Sequence, residues 1–238
     1  MKITPELLKQ LFPLTSKKQR DRWIPFWNEI LPKYGINNEL RVCAFLGTVG
    51  VESDHLRATE EYASGRNYDI KVNPRKAREL GNLTPGDGPK YKGRGGIQRT
   101  GKFNYQELNK IYGDQIEVDF VAHPEKLREL EHAVNSDCLF WTRHGLNELA
   151  DKGKFYAIQG IVNRGQAGLK PLGWDERLEI YQHALSLLPD DFKFDEDFEP
   201  DVEEPAKVTE PIPAIEPTPA TEPGKTETVK KESILNKV

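Results

Sequence analysis

Two carboxylates nine positions apart, Glu52 and Glu61, hold the most consequential chemistry in this sequence. Glu52 follows Phe45 by seven residues and Val49 by three, so the three side chains project from one face of a helix. A carboxyl on a core-facing stripe at a helix C-terminus is disfavoured as an anion, by desolvation and by the negative end of the helix dipole. Both effects favour the protonated form that a general acid needs near neutral pH. The competing reading is a helix-end glutamate that bends out to water or pairs with Arg57 or Arg94. Glu61 belongs to the pair Glu60-Glu61 and opens a loop-rich stretch from which it can face Glu52 across a cleft. One protonated and one ionised carboxyl are the minimum equipment for hydrolysing a glycosidic bond. In a chain with 38 acidic residues such pairs are common, and Glu60 competes with Glu61 for the second role.

The stretch from Gly86 to Gly101 is the most unusual, with Asp87-Gly88 as a strong turn signal and glycines again at 93, 95, 96 and 101. Such glycines let a backbone pass close to a ligand or to another backbone. Gly96 to Lys102 spells the spacing of a phosphate-binding loop, but Phe103 stands where Ser or Thr must reach magnesium, and no apolar strand precedes it. Lys90, Lys92, Arg94, Arg99 and Lys102 around Tyr91 suggest a nucleic-acid patch, without the amphipathic recognition helix one would need. The third reading is the floor of a saccharide cleft. Gln98, Thr100 and Asn104 would supply amide and hydroxyl partners to sugars, with Tyr91 and Tyr105 as nearby aromatic platforms.

Other chemistries find little. The histidines at 55, 123, 132, 144 and 183 form no pair at zinc-ligand spacing, so no metal or cofactor is expected. No G-x-S-x-G elbow is present. Cys43 lies in the apolar run Val42–Leu46 and reads as a buried thiol, although a single bond to Cys138 stays open. The net charge of -4 hides an asymmetry: residues 1–188 carry 28 basic and 24 acidic side chains, residues 189–238 only 6 basic and 14 acidic. A mildly basic body suits an anionic envelope polymer and nucleic acid equally.

These residues need elements to position them. Residues 1–188 read as one mainly helical domain. Helices are expected from Thr4-Pro5 to Phe12, from Ser16 to Tyr34 with a break near Pro25, and from Asn37 or Asn38 through the Glu52 stripe. Residues 57–98 read as loops and short strands; helical patterning returns at 102–112, 124–151, 154–163 and 174–187. Residues 189–238 are rich in Pro, Glu, Thr and Lys, and are expected to be a disordered acidic tail, with 229–238 at most a marginal amphipathic helix. The first residues lack an apolar stretch behind a basic start, and no run of 18 apolar residues exists. The expectation is a chain made in a bacterial cytoplasm, monomeric and not inserted in a membrane.

Taken together, Ala44-Phe45-Leu46 with Glu52-Ser53, Glu61 with Tyr62–Tyr68, Leu80-Gly81-Asn82, Gly86-Asp87-Gly88, Tyr91–Gly95, Ile97–Gly101 and Asn104-Tyr105 resemble glycoside hydrolase family 19. Val162-Asn163-Arg164-Gly165, Gly168 and Trp174-Asp175-Glu176-Arg177 are similar to that family's closing motif, so the likeness runs over about 35–185. This is the chitinase family that also contains phage endolysins. The resemblance implies a two-lobed lysozyme-like fold, mainly α with a small loop- and β-rich segment, and a substrate cleft between lobes. It implies inverting hydrolysis of a β-1,4-linked N-acetylated glycan, with Glu52 matching the general acid and Glu61 the base. Thr100 matches a hydroxyl that helps hold the water, Gln98, Asn104 and Asn163 match sugar-contacting amides, and Arg177 matches a buried arginine that orients the carboxylates. Two departures touch the cleft: Asp54 and His55 replace small residues after the acid, and Arg164 replaces a glycine. The expected substrate is bacterial peptidoglycan, cut by an endolysin-type enzyme at the cell wall, with chitin and non-catalytic glycan binding as the alternatives; nucleic acid is not expected as a partner.

Overall fold

The computed structural model describes residues 1–194. Local signals start the helices where the sequence predicts them. The Thr4 side chain accepts from the Leu7 amide and Pro5 occupies the first turn of α1 (Pro5–Leu11). Ser16 caps α2 (Lys17–Asp21), and α3 (Ile24–Lys33) begins after a break at Arg22-Trp23 that puts Pro25 in its first turn. Asn38 caps α4 (Glu39–Glu52) by accepting from the Arg41 amide.

Helix α4 is the axis of the molecule. Every residue from Val42 to Gly50 is buried, so the one-sided stripe expected from sequence is instead a helix covered all round. Glycines permit the close contacts this demands. A Cβ at Gly50 would lie 2.7 Å from the Phe12 ring, and one at Gly47 would lie 3.1 Å from both Phe155 and Tyr181. The main core surrounds α4 with Trp23, Trp27, Phe45, Trp141 and Leu46, all fully buried, each contributing roughly 1.5–3 kcal/mol or more by leaving water. Cys43 and Cys138 are buried here as free thiols, and burial pushes the Cys43 thiol up to about 12.

Residues 57–98 form no strand among the described residues. The β-rich segment is reduced to isolated bridges, Glu60 with Arg94 and Arg94 with Arg99, and two short helices, α5 (Pro74–Glu79) and α6 (Asp87–Lys90). These lead into α7 (Lys102–Ile111). A second, smaller core lies here, built from Tyr91, Tyr105, Leu108, Tyr112, Phe120, Leu127 and Leu139. Helix α8 (Leu130–Arg143) is the wall common to both cores, giving Leu139 to the small one and Val134, Cys138 and Trp141 to the large one. The molecule therefore has two lobes and is mainly helical. The helix expected over 124–151 is in fact a 3-10 turn, α8 and α9 (Leu146–Asp151), parted at Gly145 with its left-handed φ of 63°. Helices α10 (Phe155–Arg164) and α11 (Trp174–Leu187) complete the large lobe, where α11 packs along α4.

Packing continues past Leu188: Phe192 and Phe194 are buried in the main core and Lys193 bridges Asn38. The rest of the expected tail, 195–238, including the helix considered at 229–238, lies outside the described residues. No helix among the described residues is long and apolar enough to cross a membrane, and none of their His, Cys, Asp and Glu side chains group as metal ligands would.

Candidate active site

Glu52 ends α4 with its side chain 15% exposed, and Arg177 of α11 meets its Oε1 at 2.5 Å. The guanidinium is itself buried and bonded through each of its three nitrogens. Its Nε donates to the Leu172 carbonyl at 2.9 Å and its Nη1 to Gln159 Oε1 at 2.8 Å. The Gln159 amide donates to Thr48 Oγ1 at 2.6 Å, and Thr48 donates to the Ala44 carbonyl at 2.8 Å. A polar chain thus runs from the middle of α4 through α10 and α11 back to the carboxyl at the end of α4. The carboxyl predicted to be stranded among apolar groups has a cationic partner, and that partner is neither Arg57, which pairs with Asp54, nor Arg94, which pairs with Glu60.

The backbone directly after Glu52 is unusual. Asp54, His55 and Leu56 have φ of 50°, 54° and 67°, a left-handed run without a glycine, at a cost of roughly 1 kcal/mol or more per residue. Neighbours hold it there: Thr15 donates to the His55 carbonyl at 2.7 Å, Trp23 Nε1 to the Leu56 carbonyl at 3.1 Å, and Ser53 Oγ accepts from the Leu56 amide at 3.0 Å. His55 also meets Glu176 at 2.8 Å, tying this turn to α11 beside the Glu52–Arg177 pair.

Glu61 and Glu60 point into different surroundings. Glu60 is ringed by Arg94 at 3.0 Å, Lys92 at 3.3 Å and Arg128 at 3.2 Å; burial pushes its carboxyl up, but these cations outweigh it and hold it below the usual range. Glu61 is raised, because burial outweighs the bonds from the Gly93 backbone and from Tyr68, whose hydroxyl donates to Oε2 at 3.1 Å. Its Oε1 is buried and has no donor among the described residues, and the same is true of Gln98 Oε1. Gly93 joins these groups. It is bonded to Glu61, and a Cβ on it would lie 2.9 Å from Gln98 Oε1 and 3.1 Å from Thr100 Oγ1. Thr100 is 8% exposed and donates to the Gln98 carbonyl at 2.9 Å, while Gln98 has a left-handed φ of 61°.

That loop is held from behind by a residue the sequence did not single out. Asp137, on α8 and fully inside the protein, accepts from the amides of Gly96 at 3.0 Å and Ile97 at 2.9 Å. Burial pushes its carboxyl up to about 7, the two amides and Arg99 pull it back, and the charge of Glu52 raises it further. Those amides are the ones a phosphate-binding loop would offer to an anion, so the Gly96–Lys102 spacing serves a side chain. The basic cluster is spent in the same way. Arg94 lies buried against Tyr105 and Glu60, Arg99 donates to Ser136 and pairs with Glu107, and Lys102 pairs with Asp87. Lys90 stays exposed beside the Tyr91 ring.

Tyr91 and Tyr105 are corrected as sugar platforms. They are 2% and 0% exposed, packed on each other in the small core, with hydroxyls donated to the carbonyls of Val121 and Lys92. Arg177 is 3% exposed and meets Glu52 from inside the protein. Asn104 is half-buried and donates to the Thr100 carbonyl at 2.6 Å; Asn163 is half-buried and accepts from the Leu172 amide at 2.8 Å. The accessible aromatics are others. Tyr62 is 78% exposed, with its hydroxyl pinned on Asp54 at 2.7 Å, and the half-buried Trp174 packs edge-on against Tyr156. Tyr62 and Trp174 were legible only as members of the motifs that carry the family resemblance, with no sugar-contacting role given to either.

A Haemophilus influenzae protein described as a glycosyl hydrolase family 19 domain-containing protein is 34% identical over 128 residues, 53% of this chain and 57% of that one. The likeness is to glycoside hydrolase family 19. No protein-family model matches the chain. The matched part is little more than half of the relative's length. Among solved structures, chitinase C from Streptomyces griseus aligns over 77% of this chain and 76% of its own, with a TM-score of 0.53 and 18% identity. A bacterial family 19 chitinase aligns over 78% and 94%, with a TM-score of 0.54 and 19% identity. At such identities the agreement is one of fold: two helical lobes of the lysozyme-like kind expected from family 19.

Proposed function

We propose that this chain is a glycoside hydrolase that cuts β-1,4 bonds of bacterial peptidoglycan with inversion. The observation that carries the reading is the contrast between two carboxyls: Glu52 bonded to Arg177 at 2.5 Å, and Glu61 half-buried with one shielded oxygen lacking a donor. Glu52 protonates the glycosidic oxygen as the carbon–oxygen bond breaks. A water donating to Glu61 Oε1 and Gln98 Oε1 attacks the anomeric carbon and gives its proton to Glu61. Inversion leaves room for that water when the carboxyls stand roughly 6.5–9.5 Å apart. Glu60, neutralised by three cations, is the structural member of the acidic pair.

Two observations favour variants of this reading. The solved neighbours are named chitinases, which favours chitin as substrate. The burial that raises Glu61, and the guanidinium on Glu52, favour an exchange of roles between the carboxyls. Reducing-end release from peptidoglycan and from chitin oligomers, with wild type, Glu52→Gln and Glu61→Gln, separates all of them. Each variant is expected to lose at least about 10³-fold on the natural polymer. An aryl glycoside with a good leaving group should rescue only the variant that lacks the acid, and azide only the one that lacks the base. Rescue in the opposite sense exchanges the roles. Wild type that binds sacculi but releases no reducing ends from either polymer would replace hydrolysis by glycan binding.

A further inference from the structure

A concave site of about 510 Å³ lies where the loop after α10 meets the start of α11, lined by Arg164, Lys170, Leu172, Trp174, Asp175 and Glu176. Its wall is continuous with the candidate active site. Leu172 receives the Arg177 Nε through its carbonyl and gives its amide to Asn163, and a Cβ at Gly173 would lie 3.9 Å from Val51, next to Glu52. Whatever occupies the hollow therefore lies beside the carboxyl that Arg177 orients.

The lining is chemically lopsided once existing partners are removed. Of its two acids, Glu176 is engaged by His55 at 2.8 Å, leaving Asp175, which is exposed. Of its two cations neither forms an ion pair among the described residues, and the Arg164 Nε is shielded from solvent with no acceptor. A shielded guanidinium N–H without an acceptor is costly, because it has lost water and gained nothing. Arg164 lines the hollow, and the guanidinium fork matches a carboxylate in both geometry and charge. Beside it Trp174 offers an indole, braced by Tyr156 at 4.9 Å and Phe155 at 6.0 Å between ring centres. An aromatic ring next to a cation is a pairing suited to a sugar that carries an acid group. For a neutral N-acetylglucosamine ring, Arg164 and Lys170 would stay unmatched.

We propose that this hollow is a subsite for a carboxylate-bearing saccharide, with the sugar ring against Trp174 and its carboxylate on Arg164 and Lys170. The assignment deepens the peptidoglycan reading of the same cleft and rests on it for the role of the bound sugar in turnover. The carboxylate has two possible sources in such a polymer: the lactyl group of a bare muramic acid residue, or the stem peptide that extends from it.

Direct binding to the full chain tests the subsite without reference to catalysis. Titration with N-acetylmuramic acid, with N-acetylmuramyl-L-alanyl-D-isoglutamine and with N-acetylglucosamine, followed by NMR, is expected to favour the two acidic probes. Whichever of the two binds more tightly identifies the source of the carboxylate. Arg164→Gln with Lys170→Gln should weaken the acidic probes about 10-fold or more and leave N-acetylglucosamine unchanged. Raising the salt should narrow the preference in wild type and do nothing to the double variant. On polymers, the double variant should lose peptidoglycan turnover mainly through KM, while hydrolysis of chitin oligomers stays within about twofold of wild type. Equal binding of acidic and neutral probes by wild type, or equal loss of both in the double variant, overturns the proposal. If wild type cuts neither polymer yet the acidic preference exists and falls with Arg164, the subsite stands and the hydrolase reading fails.

Discussion

Glu52 closes a fourteen-residue helix buried on all sides, and its partner Arg177 comes from a second fourteen-residue helix packed along the first. Glu61 lies in a stretch without a strand or long helix, where glycines and a buried aspartate place Gln98 and Thr100 around it. One carboxyl is positioned by rigid elements through a chain of hydrogen bonds, the other by a loop whose shape depends on close backbone approach. The difference teaches where each arm is fragile. The helical arm is expected to tolerate loss of one bond because Arg177 keeps others, whereas the loop arm hangs on a few isolated backbone bonds, Glu61 to Gly93, Gly95 to Thr59 and the Arg94–Arg99 pair, and on Asp137.

Outside the two carboxyls themselves, the largest effect is therefore expected from a single methyl group in the loop. In Gly96→Ala the new Cβ would collide with Asp137 Oδ2 and lie 3.0 Å from Val49, forcing the loop off both the aspartate and α4. The variant should fold with a loss of about 1–3 kcal/mol in stability and lose roughly 10²-fold in kcat/KM, read by chemical denaturation and reducing-end assay. Wild-type turnover in this variant would mean that the loop does not place the water.

A smaller loss is expected in the helical arm. Arg177→Lys keeps a charge near Glu52 but surrenders the fork that reaches Gln159 and Leu172 at the same time. About a tenfold fall in kcat with KM little changed is the expected outcome. A fall as deep as that of Glu52→Gln would show that the helical arm is no more tolerant than the loop.

The smallest effect is one of slope. Asp137 is raised in the folded protein to about 7 from a normal value of 3.8, so between these pH values the folded state holds a proton that the unfolded state has released. Its contribution to stability is fully present below the unfolded value and is lost as pH rises through the folded one. Melting temperatures of wild type and Asp137→Asn, taken from pH 4 to pH 8, should show wild type losing ground to the variant as pH rises. Parallel curves would remove Asp137 as a titrating group. Glu61, raised by burial as well, shifts wild type and variant alike and drops out of the comparison.

How legible these arms were from sequence follows the same division. The Thr4-Pro5 start of α1 and the Asn38 cap of α4 are local events, decided by side chains within three residues, whereas the break at Gly145 was not read and 124–151 was expected as one helical stretch. The Arg177 contact spans 125 residues, and only family likeness pointed to it. Tyr91 and Tyr105 misled for a physical reason. An aromatic beside glycines reads equally as a sugar platform or as a small core, and here their hydroxyls find carbonyl acceptors inside the protein. For the lysines and arginines of 90–102 the sequence offered only a count of charges, whereas the structure pairs Lys92, Arg99 and Lys102 with acids.

By itself the sequence determined the helical class, the caps, the core-forming run of α4 and the two carboxyls worth testing, because helix periodicity, capping and burial of apolar runs are short-range consequences of residue type. Tertiary structure alone decided which arginine meets Glu52, that Glu60 is neutralised while Glu61 keeps an unpaired oxygen, and that Asp137 shapes the loop. It also decided that Arg164 is left without an acceptor beside Trp174. Each of these depends on desolvation and on partners brought together from distant parts of the chain, and both exist only once the two lobes have packed.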